Sequence, residues 1–278
     1  MSVKIESPGG TRTEGGANAD AGSPQQTARI AAALFDARMR RVTLAALPDH
    51  GRPLSLADAM AVQYEVGHRL ARKVAGWKAG LVPDVRFTCA PVYASDVLRS
   101  PAVFRLSDGL TPDEVETAFV EGEIAFRLGE DLPVRARPYR ESDVGAAIES
   151  CCAAIEVGNP RIANFDAAPL SHKLADSMGN GAIVWGSGTP HWRDIDPAAL
   201  HVVLEIDGVV AVDRIGGGKG APPLATLVAL ANAAERRLPL QAGQTVITGN
   251  CTGLNRVARG TTVRVVFDGL GEARVRID

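Results

Sequence analysis

The most chemically distinctive residues of the chain are two glutamates, Glu121 and Glu123, in the otherwise apolar run AFVEGEIAFRL at residues 118–128. Side chains alternate across a β-strand, so both glutamates fall on one face of this segment. The opposite face, which includes Ile124 and Phe126, is wholly apolar. We therefore expect a buried strand that carries two carboxylates on the same side, roughly 6–7 Å apart at the backbone.

Two carboxylates in one partly buried pocket repel each other and lose hydration unless a cation compensates them. Hard divalent cations such as Mg²⁺ and Mn²⁺ prefer oxygen ligands. Glu156 is a third acid in an apolar run, AAIEV, where the pattern favours an aliphatic residue. Together the three predict a metal site. The alternative is an edge strand on which Glu121 and Glu123 face solvent and pair with Arg127 or other basic side chains.

Local signals predict the elements that position these residues. Ser55 followed by Asp58 is a capping-box start for a helix that should end near Gly76. Asp207-Gly208 is the dipeptide that a type I′ hairpin turn favours. The remaining predicted elements are a helix from about residue 27 to 47, a short strand at 77–82 that begins around Lys78, a helix at 142–151, a helix from Pro222 to about Arg237, and C-terminal strands in QTVITG, TTVRVVF and EARVRI.

These elements predict an α+β fold, in which a helical N-terminal element precedes a β-rich mixed core. Residues 1–26 are rich in Gly, Ser, Asn and Ala and are predicted to be a disordered tail. We further predict an N-terminal α/β element at 27–110 and a β-rich catalytic domain at 111–278.

The overall composition excludes several classes of function. The formal net charge is −2, from 30 basic and 32 acidic side chains, which gives no footprint for nucleic acid or for an anionic membrane. No apolar run reaches the roughly 20 residues of a membrane span, and the N-terminal residues lack a signal-peptide segment. A cytoplasmic enzyme with a small-molecule substrate is expected. The four cysteines contain no CxxC pair and are predicted to be reduced and buried.

Several blocks of the chain resemble the 2-keto-4-pentenoate hydratases of the fumarylacetoacetate hydrolase superfamily, which also includes 4-oxalocrotonate decarboxylases. These blocks are GWKAGL, VEGEIAFRLGEDLP, AAIEVGNPRI, TGNCTG and VARGTTVRVVFDGLG. The resemblance extends from about residue 28 to the end. It implies a β-rich mixed core of the superfamily type, Mg²⁺ or Mn²⁺ on Glu121, Glu123 and Glu156, and a homo-oligomer. A complex with a decarboxylase or aldolase of the same pathway is also expected.

The resemblance also implies roles for residues outside the metal site. Lys78, in the G-x-K-x-G block, is expected to transfer protons, with a pKa lowered by the cation and by poor hydration. Asp176 is the second expected catalytic residue. Substrate contacts are expected from Ser177, Thr248, Gly249 and His172. The chain departs from the hydratases after the lysine block, where PVYASD leaves Asp96 as the candidate acidic partner of Lys78.

The expected reaction is metal-dependent addition of water to a 2-hydroxy-2,4-dienoate, which gives a 4-hydroxy-2-keto acid. The cation would polarise the carbonyl group of the substrate. Decarboxylation of a 2-keto acid of the 4-oxalocrotonate type and hydrolysis of an acylpyruvate are the alternative reactions. An alternative of another class is a non-catalytic accessory subunit of a pathway complex.

Overall fold

A computed structural model describes residues 23–48, 54–81, 87–108, 117–217, 220–233, 236 and 238–278. Within these ranges the helices are α1 Pro24–Arg40, α2 Leu56–Leu70, α3 Glu141–Ala146, α4 Leu170–Ala175 and α5 Pro223–Asn232. The strands are β1 Val74–Gly80, β2 Thr88–Tyr93, β3 Val97–Arg99, β4 Ala102–Phe104, β5 Thr117–Leu128, β6 Ile148–Gly158, β7 Asn180–Thr189, β8 His201–Ile206, β9 Val209–Ile215, β10 Thr245–Asn250, β11 Asn255–Ala258, β12 Thr262–Phe267 and β13 Gly271–Ile277. No helix of the described part is long and apolar enough to cross a membrane.

The two N-terminal helices begin and end at identifiable caps. The hydroxyl of Ser23 accepts the backbone N–H of Gln26 at the start of α1. The predicted capping box of α2 is confirmed, since Ser55 and Asp58 each accept the other's backbone N–H. α2 ends at Leu70 rather than near Gly76, because Ala71 adopts the left-handed conformation and β1 begins three residues later.

The strands form two sheets. One has the order β2-β1-β10-β5-β6-β7-β3, with β11 beside β5, and the other has the order β4-β13-β12-β8-β9. The β1–β10, β3–β7 and β4–β13 pairs are parallel and the others are antiparallel. The predicted α+β class with a β-rich mixed core is confirmed. The expected domain boundary near residue 110 lies within 109–116, outside the described residues, and strands from both sides of it share both sheets.

The two faces of β5 have separate roles. On the apolar face, a Cβ added to Gly122 would lie 2.7 Å from Cγ2 of Val265 and 2.8 Å from Cγ2 of Thr252, so glycine permits the close approach of the second sheet. The other face carries Glu121 and Glu123, which lie beside Glu156 of β6. Strand β5 thus joins the packed core to the candidate site.

Four further local predictions were wrong in extent. The tail expected at 1–26 is already helical from Pro24, while residues 1–22 lie outside the described part. The helix expected at 27–47 ends at Arg40. The helix expected at 142–151 ends at Ala146, because the next residues enter the long central strand β6. The helix expected to reach Arg237 ends at Asn232.

Candidate active site

Three glutamates come together on adjacent central strands. Glu121 lies directly opposite Glu156 in the antiparallel β5–β6 register, and Glu123 is two residues further along the same face. One carboxylate oxygen from each lies within 4.8 Å of the others. Glu123 is 3% exposed and Glu156 2% exposed. The edge-strand alternative is wrong, because β5 lies between β10 and β6, and the guanidinium of Arg127 is stacked on the ring of Trp185 instead.

The carboxylate of Glu156 is asymmetrically bonded. Its Oε1 accepts hydrogen bonds from Lys78 Nζ at 2.6 Å and from Asn180 Nδ2 at 2.9 Å. Its Oε2 is buried and has no hydrogen-bond partner in the described structure. A buried, unpartnered carboxylate oxygen beside two further carboxylates fits a hard divalent cation, which prefers oxygen ligands. The residues present therefore suit the expected metal.

The other two glutamates each accept one hydrogen bond from the C-terminal end of β10. Glu121 Oε1 accepts from Asn250 Nδ2 at 2.6 Å. Glu123 Oε2 accepts from the backbone N–H of Gly249 at 2.9 Å. The TGNCTG block, which was part of the family resemblance, thus lies against the carboxylates.

The electrostatics of the cluster reflect burial and like charge. Burial, followed by the charge of Glu156, raises the pKa of Glu121 from 4.5 to about 7. The same two causes, with Glu121 in addition, raise the pKa of Glu123 well above its ordinary value. Burial lowers the pKa of Lys78, but the three glutamates outweigh it and the net direction is upward. The lowering expected for Lys78 therefore requires the charge of the cation.

A cavity of about 240 Å³ lies beside the cluster. Lys78, Glu121 and Glu156 contribute the polar side of its lining. Its other walls are mainly apolar and come from Phe119, Pro160, Phe165, Met178 and Leu254. The cavity thus pairs a charged end with apolar walls, as the binding of a small carboxylate with a hydrocarbon chain requires.

The lining of this cavity includes a second cation, Lys173. Its Nζ donates to the backbone carbonyl of Asp166 at 2.8 Å and lies 5.7 Å from the ring centroid of Phe165. No carboxylate of the described residues lies within ion-pair distance of it. By contrast, the neighbouring Arg256 pairs with the carboxylate of Asp166 at 2.6 Å.

Asp176 lies in a buried ion pair and does not line the cavity. Its Oδ1 accepts from Arg161 Nε at 2.6 Å, and the two side chains are 1% and 5% exposed. Arg161 Nη1 in turn donates to the backbone oxygen of Asn180 at 2.6 Å. Asp176 can therefore act on the site through Arg161 and Asn180. Asp96, the candidate partner of Lys78, pairs with Arg38 instead, and Glu156 takes that position.

The expected substrate contacts are distributed around the site. Gly249 lies nearest, through its bond to Glu123. The hydroxyl of Thr248 donates to the backbone oxygen of Ile124 inside the sheet. Ser177 is buried at a left-handed turn whose next residue, Met178, lines the cavity. His172 lies one turn before Asp176 on α4, and its backbone oxygen accepts the N–H of that residue.

Asn180 and Asn250 were not singled out from the sequence. Asn250 lies inside the TGNCTG block, which offered a signal. Asn180 begins β7 in the run MGNGA, and nothing in that run indicates contact with a carboxylate. The cysteines match their prediction, since all four are buried and none forms a disulfide bond, and burial raises the pKa of the Cys152 thiol to about 12.

Comparison with known proteins shows which enzymes the chain is similar to. No protein-family model matches it. The 4-oxalocrotonate decarboxylase of Pseudomonas putida is 27% identical over 227 residues, which cover 80% of this chain and 86% of that protein. The 2-keto-4-pentenoate hydratase of Paraburkholderia xenovorans (strain LB400) is 27% identical over 268 residues, which cover 92% of this chain and 96% of that protein.

Among solved structures, the 4-oxalocrotonate decarboxylase from Pseudomonas putida G7, complexed with magnesium and adipate, shares the fold. The TM-score is 0.78 at 23% identity, and the match covers 92% of this chain and 98% of that one. The fold, the sequence blocks and the relatives that match most of the chain all point to the same group of enzymes. The resemblance expected from the sequence is confirmed: along most of its length the chain is similar to the 2-keto-4-pentenoate hydratases and 4-oxalocrotonate decarboxylases of the fumarylacetoacetate hydrolase superfamily.

Proposed function

We propose that the chain is a divalent-metal-dependent hydratase that adds water to a 2-hydroxy-2,4-dienoate to give a 4-hydroxy-2-keto acid. The observation that carries the proposal is the buried three-glutamate cluster at the charged end of an apolar-walled cavity. Glu121, Glu123 and Glu156 would hold Mg²⁺ or Mn²⁺. When bound, the cation supplies Lewis-acid polarisation of the substrate's 2-oxygen.

Lys78 is the proposed proton-transfer residue. Its Nζ lies in the cavity lining, 2.6 Å from Glu156 Oε1, and its raised pKa keeps it protonated before a cation binds. A protonated ammonium within reach of the substrate chain can deliver a proton to carbon as the dienol becomes a ketone. Glu156 holds the ammonium in place while that proton is transferred.

The remaining residues bind and orient the substrate. Phe119, Phe165 and Leu254 pack against its hydrocarbon chain and limit the access of bulk water. Ser177 and Thr248 remain the predicted contacts of the substrate carboxylate, and Gly249 and His172 remain predicted substrate contacts, although none of the four lines the cavity itself. Asp176 is assigned a positioning role through Arg161, in place of direct proton transfer.

The test is turnover of 2-hydroxypenta-2,4-dienoate by the purified protein, with Mg²⁺ or Mn²⁺ and again after EDTA. We expect metal-dependent loss of the conjugated absorbance and a 4-hydroxy-2-keto acid product. Lys78→Met should lose turnover but keep Mn²⁺ binding, and Arg99→Met, at the distant end of β3, serves as the control. No turnover by a protein that binds Mn²⁺ would reject the hydratase assignment.

A second candidate function is decarboxylation of a dicarboxylic 2-keto acid of the 4-oxalocrotonate type. Lys173 favours it, because a cation that lines the cavity without a carboxylate partner among the described residues can receive a distal carboxylate. The decarboxylase of similar fold is complexed with adipate, which is also a dicarboxylate. Release of CO₂ from 4-oxalocrotonate, measured beside dienoate hydration, separates the two reactions.

The cavity favours an enzyme over the accessory-subunit alternative, since side chains leave the space beside the glutamates open. We further propose the homo-oligomer and a complex with a decarboxylase or aldolase of the same pathway, both on the family resemblance. Light scattering of the purified chain, alone and mixed with such an enzyme, tests them.

A further inference from the structure

We propose that Asn180 and Asn250 are positioning residues. Asn180 hydrogen-bonds one carboxylate oxygen of Glu156 and Asn250 hydrogen-bonds one of Glu121, so that each glutamate offers only its other oxygen to the metal. The inference rests on the metal site of the proposed function and extends it to residues outside the ligand set. It predicts that metal affinity depends on two amides that do not touch the metal.

The first amide acts on Glu156. Asn180 Nδ2 and Lys78 Nζ both donate to Oε1, whereas Oε2 is buried and has no partner in the described structure. A carboxylate held by two donors on one oxygen cannot rotate without losing both bonds. Oε2 is therefore the oxygen that Glu156 can offer to a cation.

The second amide acts on Glu121. Asn250 Nδ2 donates to Oε1 at 2.6 Å, and the amide oxygen of the same side chain accepts the backbone N–H groups of Thr252 and Gly253 at 2.9 and 2.6 Å. The turn thus fixes which end of the amide faces Glu121. The backbone N–H of Gly249 likewise donates to one oxygen of Glu123, Oε2.

Asn180 is itself held by its backbone. Its carbonyl oxygen accepts hydrogen bonds from Arg161 at 2.6 Å and from Arg38 at 3.4 Å. Each guanidinium is paired with an acid, Asp176 and Asp96 respectively. These charges surround the first residue of β7 and set the position from which its amide reaches Glu156.

Partners that orient metal ligands typically change metal affinity by about 10–100-fold when they are removed. We therefore expect Asn180→Leu, which keeps the number and branching of the side-chain heavy atoms but has no donor, to weaken Mn²⁺ binding by about 10–100-fold in calorimetric titration. Asn180→Ala is the second variant if the leucine side chain prevents folding. Asn250→Ala should weaken binding by a similar factor.

Asn232→Ala is the matched control. Its amide also makes two hydrogen bonds, to the backbone of Tyr139, and neither residue lines the cavity, so Mn²⁺ affinity should stay within about 2-fold. The EPR spectrum of bound Mn²⁺ should change in the Asn180 and Asn250 variants and not in this control. A purely structural role would lower the melting temperature of the metal-free protein and leave that spectrum unchanged.

Folded Asn180 and Asn250 variants that bind Mn²⁺ like the wild type, with the same spectrum, would overturn the inference. If Mn²⁺ binding depends on the two amides but the protein turns over no 2-keto acid, the inference stands and the proposed function is rejected. The two failures are therefore distinguishable.

Discussion

Replacing Glu121 by glutamine should stabilise the metal-free protein and remove the stabilisation that a metal provides. Glutamine keeps an oxygen that can accept the hydrogen bond from Asn250, and it removes one charge from the cluster. Glu121 is half-buried, and in the metal-free protein the charge of Lys78 only partly offsets the effects of burial and of the charge of Glu156 on it. Loss of this charge relieves repulsion and desolvation together.

The magnitude follows from the pKa of Glu121, which burial and Glu156 raise from 4.5 to about 7. At about 1.4 kcal/mol per pH unit, this corresponds to roughly 3 kcal/mol against folding when the group is fully ionised. Below pH 4.5 the group is protonated in the folded and unfolded chains, and the cost is absent. As the pH rises from 4.5 to 7, the folded chain binds more protons than the unfolded chain, so stability falls through this window.

The assay is urea unfolding of the EDTA-treated wild type and Glu121→Gln at pH 4.5 and pH 8. The variant should be about as stable as the wild type at pH 4.5 and about 2–3 kcal/mol more stable at pH 8. Mn²⁺ at 100 times its dissociation constant should add about 2.7 kcal/mol to the wild type and much less to the variant. Glu149→Gln, at an exposed position of β6, is the control. Its free energy of unfolding should change by no more than about 0.5 kcal/mol.

Equal stabilisation of Glu121→Gln at both pH values would show that the charge of Glu121 is not the cause. Unchanged Mn²⁺ affinity in the variant would remove Glu121 from the metal site. Either result would refute the argument from buried like charges.

Three further predictions concern residues around the site. Asp176→Ala should cost about 3–5 kcal/mol in urea unfolding, because it leaves Arg161 buried without a counter-charge, and the Arg161→Met/Asp176→Leu pair should recover most of that loss. Lys173→Met should lower kcat/KM for a dicarboxylic 2-keto acid by about 10–100-fold and leave a monocarboxylic dienoate nearly unchanged, since a hydrogen bond to a charged group contributes about 1.5–3 kcal/mol; equal losses would remove Lys173 from substrate selection. Gly186→Ala should lower stability by at least about 1–3 kcal/mol in thermal unfolding, because the new Cβ would lie 1.8 Å from the backbone oxygen of Glu272; an unchanged midpoint would contradict this packing.

Features that arise within a few residues could be predicted from the sequence alone. Strand alternation placed Glu121 and Glu123 on one face, and the capping box and the Asp-Gly turn marked where elements begin and reverse. Glu156 was found because a charge in an aliphatic run violates the local pattern. These signals depend on periods of two to four residues, which a single chain displays directly.

Contacts between distant residues became visible in the folded chain. The β5–β6 register sets Glu156 opposite Glu121, and the parallel β1–β10 pairing brings Lys78 to the same face. The contact of Asn180 with Glu156 depends on a strand that the sequence did not reveal. Local periodicity carries no information on register between distant strands, since register is fixed by burial of whole faces and by non-local pairing. Asp176 was predicted as a site residue from the family resemblance. Its ion pair with Arg161 could not be predicted, because it depends on the folded chain.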